Sequence, residues 1–307
     1  MPGLPRGGLT PMDALALAAP RRLTVPIDNR WGGGDMAVLD FGDPARPVDL
    51  IFAHANGFNA YAYRSLLQPL SGALRIWAPD LRGHGQTRLP ARPEGRRSWK
   101  DHRDDLIALL DAVEGPPVAL AGHSIGGTSG LLAAAERPGR VSRLLLLDPV
   151  IWRREMVLAM SLPLVGRLAQ RFPIVQGTLK RRALFDSREQ ALKAYRGRGA
   201  FKGWSDMVLA DYLVDGLTET DQGFELTCSP AWEASNYAAQ AHNPWRALRR
   251  YPGAVRILKA ESGSLCALPT SSVPASSRQV EAVAGGGHLF PMTHPDVVRD
   301  ALLDAAV

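Results

Sequence analysis

A serine hydroxyl becomes a useful nucleophile only when a neighbouring base takes its proton. Gly122-His123-Ser124-Ile125-Gly126 fits the pattern G-x-S-x-G, in which the serine occupies a sharp turn between a strand and a helix. Five residues alone are a weak signal, and a tight turn without chemistry is the plain alternative. Their setting is stronger. The apolar run Val118 to Ala121 precedes the turn, and Gly127 with the small-residue stretch Thr128 to Ala135 follows it. A side chain at position 122 or 126 would collide across such a turn, and a helix starting behind Ser124 favours developing negative charge.

The base is expected late in the chain, in the order nucleophile, acid, histidine. Gly285-Gly286-Gly287-His288-Leu289-Phe290-Pro291 supplies it, because glycines let the loop fold over the strand ends and carry the imidazole to Ser124. His294 competes, but Pro295 starts a helix that leaves it on a surface loop. His123 is read as a packing residue of the elbow and His84 as a turn residue.

Several short apolar runs, each ending in a turn signal, read as buried strands that position these groups. They are Val48 to Ala53, Leu74 to Ala78, Val118 to Ala121, Leu144 to Leu147 and Val255 to Leu258. Continuous apolar strands are expected when helices cover both faces of a mostly parallel sheet. Between them the helical period returns: Ser98 is a candidate N-cap, with Leu106, Leu109, Leu110 and Val113 on one face and Pro116-Pro117 as the stop. Residues 151–243 break this rhythm with amphipathic patterns at Glu189 to Tyr195 and Met207 to Leu217, and read as an inserted helical cap. Residues 1–150 and 244–307 then form the core.

The formal charge of +6 invites a nucleic-acid reading. The basic residues are scattered and accompanied by carboxylates, as in Arg103-Asp104-Asp105, and the clusters Arg96-Arg97 and Lys180-Arg181-Arg182 are short. They read as solvated faces, and nucleic acid is not an expected partner. Cys228 and Cys266 have no metal-ligand spacing and read as small buried side chains in a reducing compartment. No apolar run is long enough to span a membrane, so no membrane partner is expected. The run Ala14 to Ala19 lacks the basic flank of a secretory signal, Met12 is a second candidate start, and the chain is read as cytoplasmic, a monomer or homodimer.

Taken together, His54-Ala55-Asn56-Gly57-Phe58, Asp80-Leu81-Arg82-Gly83-His84-Gly85, the Ser124 elbow, Leu147-Asp148-Pro149 and Gly287-His288 resemble the α/β-hydrolase superfamily, and in particular its lid-bearing bacterial esterase-type members. The matching residues keep the family's order across residues 45–300. The resemblance implies an oxyanion hole of two backbone N–H groups: Ile125, after the nucleophile, and a residue of the early loop. There the usual His-Gly pair is His54-Ala55, which makes Asn56 the aligned donor and Phe58 the fallback; the Asn56 side-chain amide is a further possible donor. His54 itself is read as tying the loop together. Many members carry the acid as an aspartate after the strand that here ends at Leu258, yet this chain continues Lys259-Ala260-Glu261. Asp148, at the end of the preceding strand, is favoured as the acid, with Glu261 as the alternative.

A serine at this position, where epoxide- and halide-processing relatives need a carboxylate, implies acyl transfer through an acyl-enzyme, with no metal or organic cofactor. The cap should roof the pocket, with Phe58, His123, Trp152, Met156, Trp204 and Leu289 as lining candidates, and Met160, Phe172, Phe185, Phe201 and Trp232 in reserve. Arg153 and Arg154 are read as solvated. An apolar pocket favours a small to medium hydrophobic ester or lactone. An amidase, thioesterase or carbon–carbon bond hydrolase would use the same triad, and a non-catalytic binding protein is the rival outside enzymes.

Overall fold

The computed structural model describes residues 19–271 and 278–306. Met12 and the apolar run up to Ala18 lie outside the described residues. Eight strands make the central sheet: β1 (Arg21–Ile27), β2 (Gly34–Phe41), β3 (Leu50–Ala53), β4 (Ile76–Pro79), β5 (Val118–His123), β6 (Val141–Leu147), and, after a long excursion, β10 (Ala254–Ala260) and β11 (Arg278–Val283). Their order is β1-β2-β4-β3-β5-β6-β10-β11. From β4 onward the pairs are parallel, while β2 runs antiparallel to both β1 and β4. The expected mostly parallel, helix-flanked sheet is therefore what the chain forms.

The continuous apolar runs resolve into two faces. Ile51 and Ala53 of β3 and Leu144 and Leu146 of β6 enter one core, beneath α2 (Lys100–Ala112), α3 (Ile125–Glu136) and α10 (Pro244–Arg250). Leu50, Phe52, Leu145 and Leu147 enter the other, beneath α1 (Arg64–Leu67), α11 (Phe290–Thr293) and α12 (Pro295–Ala306). The period of two is present, but both phases are apolar because both faces are covered. One local expectation fails: α2 starts after Trp99, not Ser98, and Trp99 caps it without a side-chain hydrogen bond. The Asp101 carboxylate is instead taken by Arg96 and the His102 N–H.

Between β6 and α10 lie α4 (Arg154–Ser161), α5 (Pro163–Leu168), α6 (Pro173–Leu179), α7 (Arg188–Tyr195), α8 (Asp206–Gly216) and α9 (Pro230–Ala238). This stretch is not purely helical. It also holds a three-stranded antiparallel sheet of β7 (Leu184–Phe185), β8 (Leu217–Thr220) and β9 (Gly223–Leu226), in the order β7-β9-β8. Thr218 and Thr220 are β-branched, and Asp221-Gln222 turns the β8–β9 hairpin, which ends the helical pattern at Gly216. Two of these helices bind the core directly. Asn59 Nδ2 donates to the Tyr212 carbonyl of α8, and Trp232 Nε1 of α9 donates to the Arg82 carbonyl.

Candidate active site

Register places the site. Ala53 pairs with Gly122, His123 with Leu147, and Leu147 with Leu258, so the segments after β3, β5, β6 and β10 leave the sheet along one edge. Those segments begin with His54, Ser124, Asp148 and Glu261. The carboxyl ends of parallel strands are where open α/β sheets gather functional groups.

Ser124 sits at φ +55°, and its N–H donates to the Leu147 carbonyl at 2.9 Å. The flanking glycines are sterically required. A Cβ on Gly126 would lie 2.3 Å from the Ala53 oxygen, and one on Gly122 would lie 2.5 Å from the Gly126 carbonyl carbon. The turn is thus wedged between β3 and its own helix, and no side chain fits.

His288 reaches Ser124 Oγ through Nε2 at 3.1 Å and Asp148 Oδ2 through Nδ1 at 2.6 Å. Asp148 also accepts from the Ala260 N–H, the Ser264 hydroxyl and the Leu265 N–H at 3.0, 2.5 and 3.1 Å. Burial pushes its carboxyl up, but the hydrogen bonds from His288 and Ser264 outweigh that and hold it below the usual carboxylate value. The structure therefore brings Ser124, His288 and Asp148 together and leaves Glu261 outside. Glu261 Oε2 instead accepts the Gly285 N–H at 2.8 Å, pinning the glycine loop that carries His288. His294 stands at the C-terminal end of α11, bonded to Thr293.

The early loop is held by histidines. His54 Nδ1–H donates to the Ala55 carbonyl at 2.7 Å, and Nε2 accepts the Leu81 N–H at 2.8 Å, as a loop tie requires. Three backbone donors here are spent: Ala55 on Tyr63 Oη, Gly57 on His84 Nε2 and Phe58 on the Ala55 carbonyl. The last removes Phe58 as a fallback oxyanion donor. The Asn56 side chain is also committed, since Nδ2 donates to the Glu233 carbonyl and Oδ1 accepts from Asn236 Nδ2. What Asn56 retains is its backbone N–H. Ile125 opens α3, so its own N–H is one of the first-turn donors that a helix leaves unpaired.

A cavity of about 900 Å³ opens over Ser124 and His288. Asn56, Phe58, Ile125, Trp152, Met156 and Leu289 line it, together with Met160, Phe172 and Phe201. Two lining candidates are corrected. His123 is wholly buried behind the site: its Nε2–H donates to the His288 carbonyl at 2.9 Å, and its Nδ1 accepts the Tyr63 hydroxyl at 2.7 Å. Trp204 packs edge-on against Phe58 and Phe201, one layer behind the wall. Of the reserve candidates, Phe185 and Trp232 are core. Arg153 and Arg154 are exposed, with Arg154 stacked 4.4 Å over Trp245.

Sequence reasoning missed the polar spot in this cavity. Arg181 lines it, bonded to Glu233 at 2.6 Å and to Tyr212 Oη at 2.9 Å. It is not on a solvated face, and neither is Arg96, which lies 3.9 Å over the Trp232 ring and pairs with Asp101. No local signal separated Arg181 from its basic neighbours, because its partners come from α8 and α9. Ser264 was missed as well, although a hydroxyl close to the expected acid position was the available clue.

Residues 50–301 match the profile described as "Alpha/beta hydrolase family". Among curated relatives, the chain is 33% identical over 150 residues to a magnesium-chelatase 30 kDa subunit of Rhodobacter capsulatus, covering 49% of each. It is 31% identical over 161 residues to an sn-1-specific diacylglycerol lipase of Mus musculus, covering 47% of this chain and 50% of the lipase. The matched region thus spans about half the length of these relatives. Among solved structures, E-2-(acetamidomethylene)succinate hydrolase superposes with a TM-score of 0.69 at 22% identity, over 92% of this chain and 98% of that one, a likeness of fold.

Proposed function

Because this chain belongs to the alpha/beta hydrolase family, we propose that it is a serine hydrolase cleaving a carboxylic ester or lactone of a small to medium hydrophobic substrate. The observation that carries this reading is the hydrogen-bonded line from Ser124 Oγ through His288 to Asp148, at 3.1 and 2.6 Å, opening into an apolar cavity. Asp148 accepts the Nδ1 proton, so Nε2 is left as the lone-pair base facing the serine hydroxyl.

In this mechanism Ser124 Oγ attacks the substrate carbonyl while His288 Nε2 takes its proton. The negative charge that forms on the carbonyl oxygen is met by the Asn56 and Ile125 N–H groups, each worth about 3–4 kcal/mol of barrier when aimed at the oxyanion. The alkoxide leaves with the proton from Nε2, giving an acyl-enzyme. Water, deprotonated by the same nitrogen, then attacks that acyl group and frees Ser124. Residues 151–243 serve as the cap, supplying Trp152, Met156 and Phe172 as the apolar roof.

The test is intact-mass spectrometry after fluorophosphonate treatment, followed by turnover of short p-nitrophenyl esters. One adduct on the wild type, absent from Ser124→Ala, together with ester turnover, is the expected result. A folded wild type that takes no adduct would overturn the activated serine. A Ser124 adduct without ester or lactone turnover would move the reading to an amide, thioester or carbon–carbon substrate.

A further inference from the structure

Side chains that meet water are usually polar, and large apolar ones are scattered singly. In this chain they are concentrated. Leu158, Leu162, Leu164, Leu168, Ile174 and Leu179 are all exposed, Leu158 and Leu164 by 70% and 67%. They belong to α4, α5, α6 and the turns between them, which pack on one another in sequence. The inner sides of this layer are satisfied: Met160, Ala169 and Val175 are buried against Ala234 and Ala238 of α9. The outer sides are not.

Charge is concentrated in the same place. Residues 152–182 contain seven Arg or Lys and one acidic residue, Glu155, a net +6 that equals the formal charge of the whole chain. The remainder of the sequence is formally neutral. Arg153, Arg154, Arg171, Lys180 and Arg182 are exposed. Trp152, Met156, Phe172 and Ile174 are at once exposed and part of the cavity lining, so the apolar surface runs without a break into the cavity above Ser124.

We propose that the α4–α6 layer is a docking surface for an anionic lipid bilayer, into whose headgroup region its apolar side chains insert while its exposed arginines and Lys180 meet the lipid phosphates. Apolar residues fringed by Arg and Lys are the pattern of a surface that lies in a membrane interface. A protein partner would have to match both a broad apolar face and the excess of exposed positive charge carried by Arg153, Arg154, Arg171, Lys180 and Arg182 over Glu155. A second copy of the chain would bring like charges together. The absence of a spanning segment, on which the expectation of no membrane partner rested, does not bear on peripheral docking of this kind. Docking also sets the cavity mouth against the bilayer, so an apolar substrate passes from lipid to Ser124 without crossing water.

The test is co-sedimentation of the full chain with phosphatidylcholine vesicles, with and without about 30 mol % phosphatidylglycerol. Anionic vesicles should bind at least about tenfold more tightly, and salt at about 0.5 M should release most of the protein. Leu158→Glu with Leu164→Glu, and separately Arg171→Glu with Lys180→Glu, should each lower binding by about tenfold while the melting temperature is kept. None of these four residues lines the cavity, and the readout needs no turnover, so the result is independent of the ester reading. No binding, or equal binding to both vesicles, would overturn the proposal. A dimer in sedimentation that Leu158→Glu with Leu164→Glu dissociates, without vesicle binding, would assign the face to a second copy and overturn it too.

Discussion

The two carboxylates near the base differ in what depends on them. Asp148 accepts the Nδ1 proton of His288, so it fixes which imidazole nitrogen faces Ser124. Glu261 only ties down Gly285. Asp148→Asn is expected to lower kcat by about 10⁴-fold, because an amide donor in that place favours the wrong tautomer. Glu261→Gln keeps an acceptor for the Gly285 N–H and should cost less than about tenfold. Steady-state kinetics on one chromogenic ester compares them, and similar small losses would remove Asp148 from the acid role. The ambiguity between these residues in the sequence has a physical origin. The acid is defined by what surrounds it, namely Ala260 at the end of β10 and Ser264 and Leu265 in the loop after it, 112 to 117 residues away, and no local pattern records that convergence. The elbow was legible for the opposite reason, since its glycine requirement is local.

Among the elements, the elbow is the most constrained, being wedged between β3 and α3. Gly126→Ala would force a methyl into the Ala53 and His54 carbonyls, at 2.3 and 2.6 Å, whereas a methyl on Gly287 in the His288 loop meets nothing within 4 Å. Chemical denaturation should therefore show Gly126→Ala destabilised by about 1–3 kcal/mol or more. Gly287→Ala should stay within about 0.5 kcal/mol of wild type. Comparable midpoints for the two would mean that the turn relaxes more easily than its contacts imply. Five of the eight central strands, β3, β4, β5, β6 and β10, were legible because their apolar runs end at sharp turn signals; β1, β2 and β11 were not read, because polar residues interrupt or flank their apolar ones. The β8–β9 hairpin was not, because a short alternating stretch between helices carries less periodic signal than the helices around it.

At the scale of the whole molecule, burial sets the acid limit of the fold. Five of the seven histidines sit in the interior without charge. Burial depresses His54, His123 and His242 to about 3 and lowers His84 and His102 as well. In the unfolded chain these rings protonate near 6.5, as free imidazoles do. Their contribution to stability is thus present above about pH 6.5 and is lost as the pH falls toward about 3, by about 1.4 kcal/mol per pH unit for each ring that charges only on unfolding. Asp80 has the opposite sign. Burial raises its carboxyl to about 7, so its contribution is full at low pH and fades as the pH rises through that value. Burial raises the Asp211 carboxyl in the same direction. With five rings against two carboxylates, the denaturation midpoint should fall steadily between pH 6.5 and pH 4. A flat profile over that range would mean that the interior rings are hydrated or charged in the folded state.

The spacing of the relay along the chain has a consequence for biosynthesis. The groups at 124, 148 and 288 are joined only after β10 and β11 add to the sheet edge beside β6, and Asp148 takes N–H donors from residues 260 and 265. A chain emerging from the ribosome can shape the elbow early, since β3, β5 and α3 are already present. On the proposed mechanism it cannot activate Ser124 until His288 has emerged and docked between Ser124 and Asp148. Nucleophilic power is then switched on by the arrival of one late loop, and a chain that stops short of His288 is chemically silent.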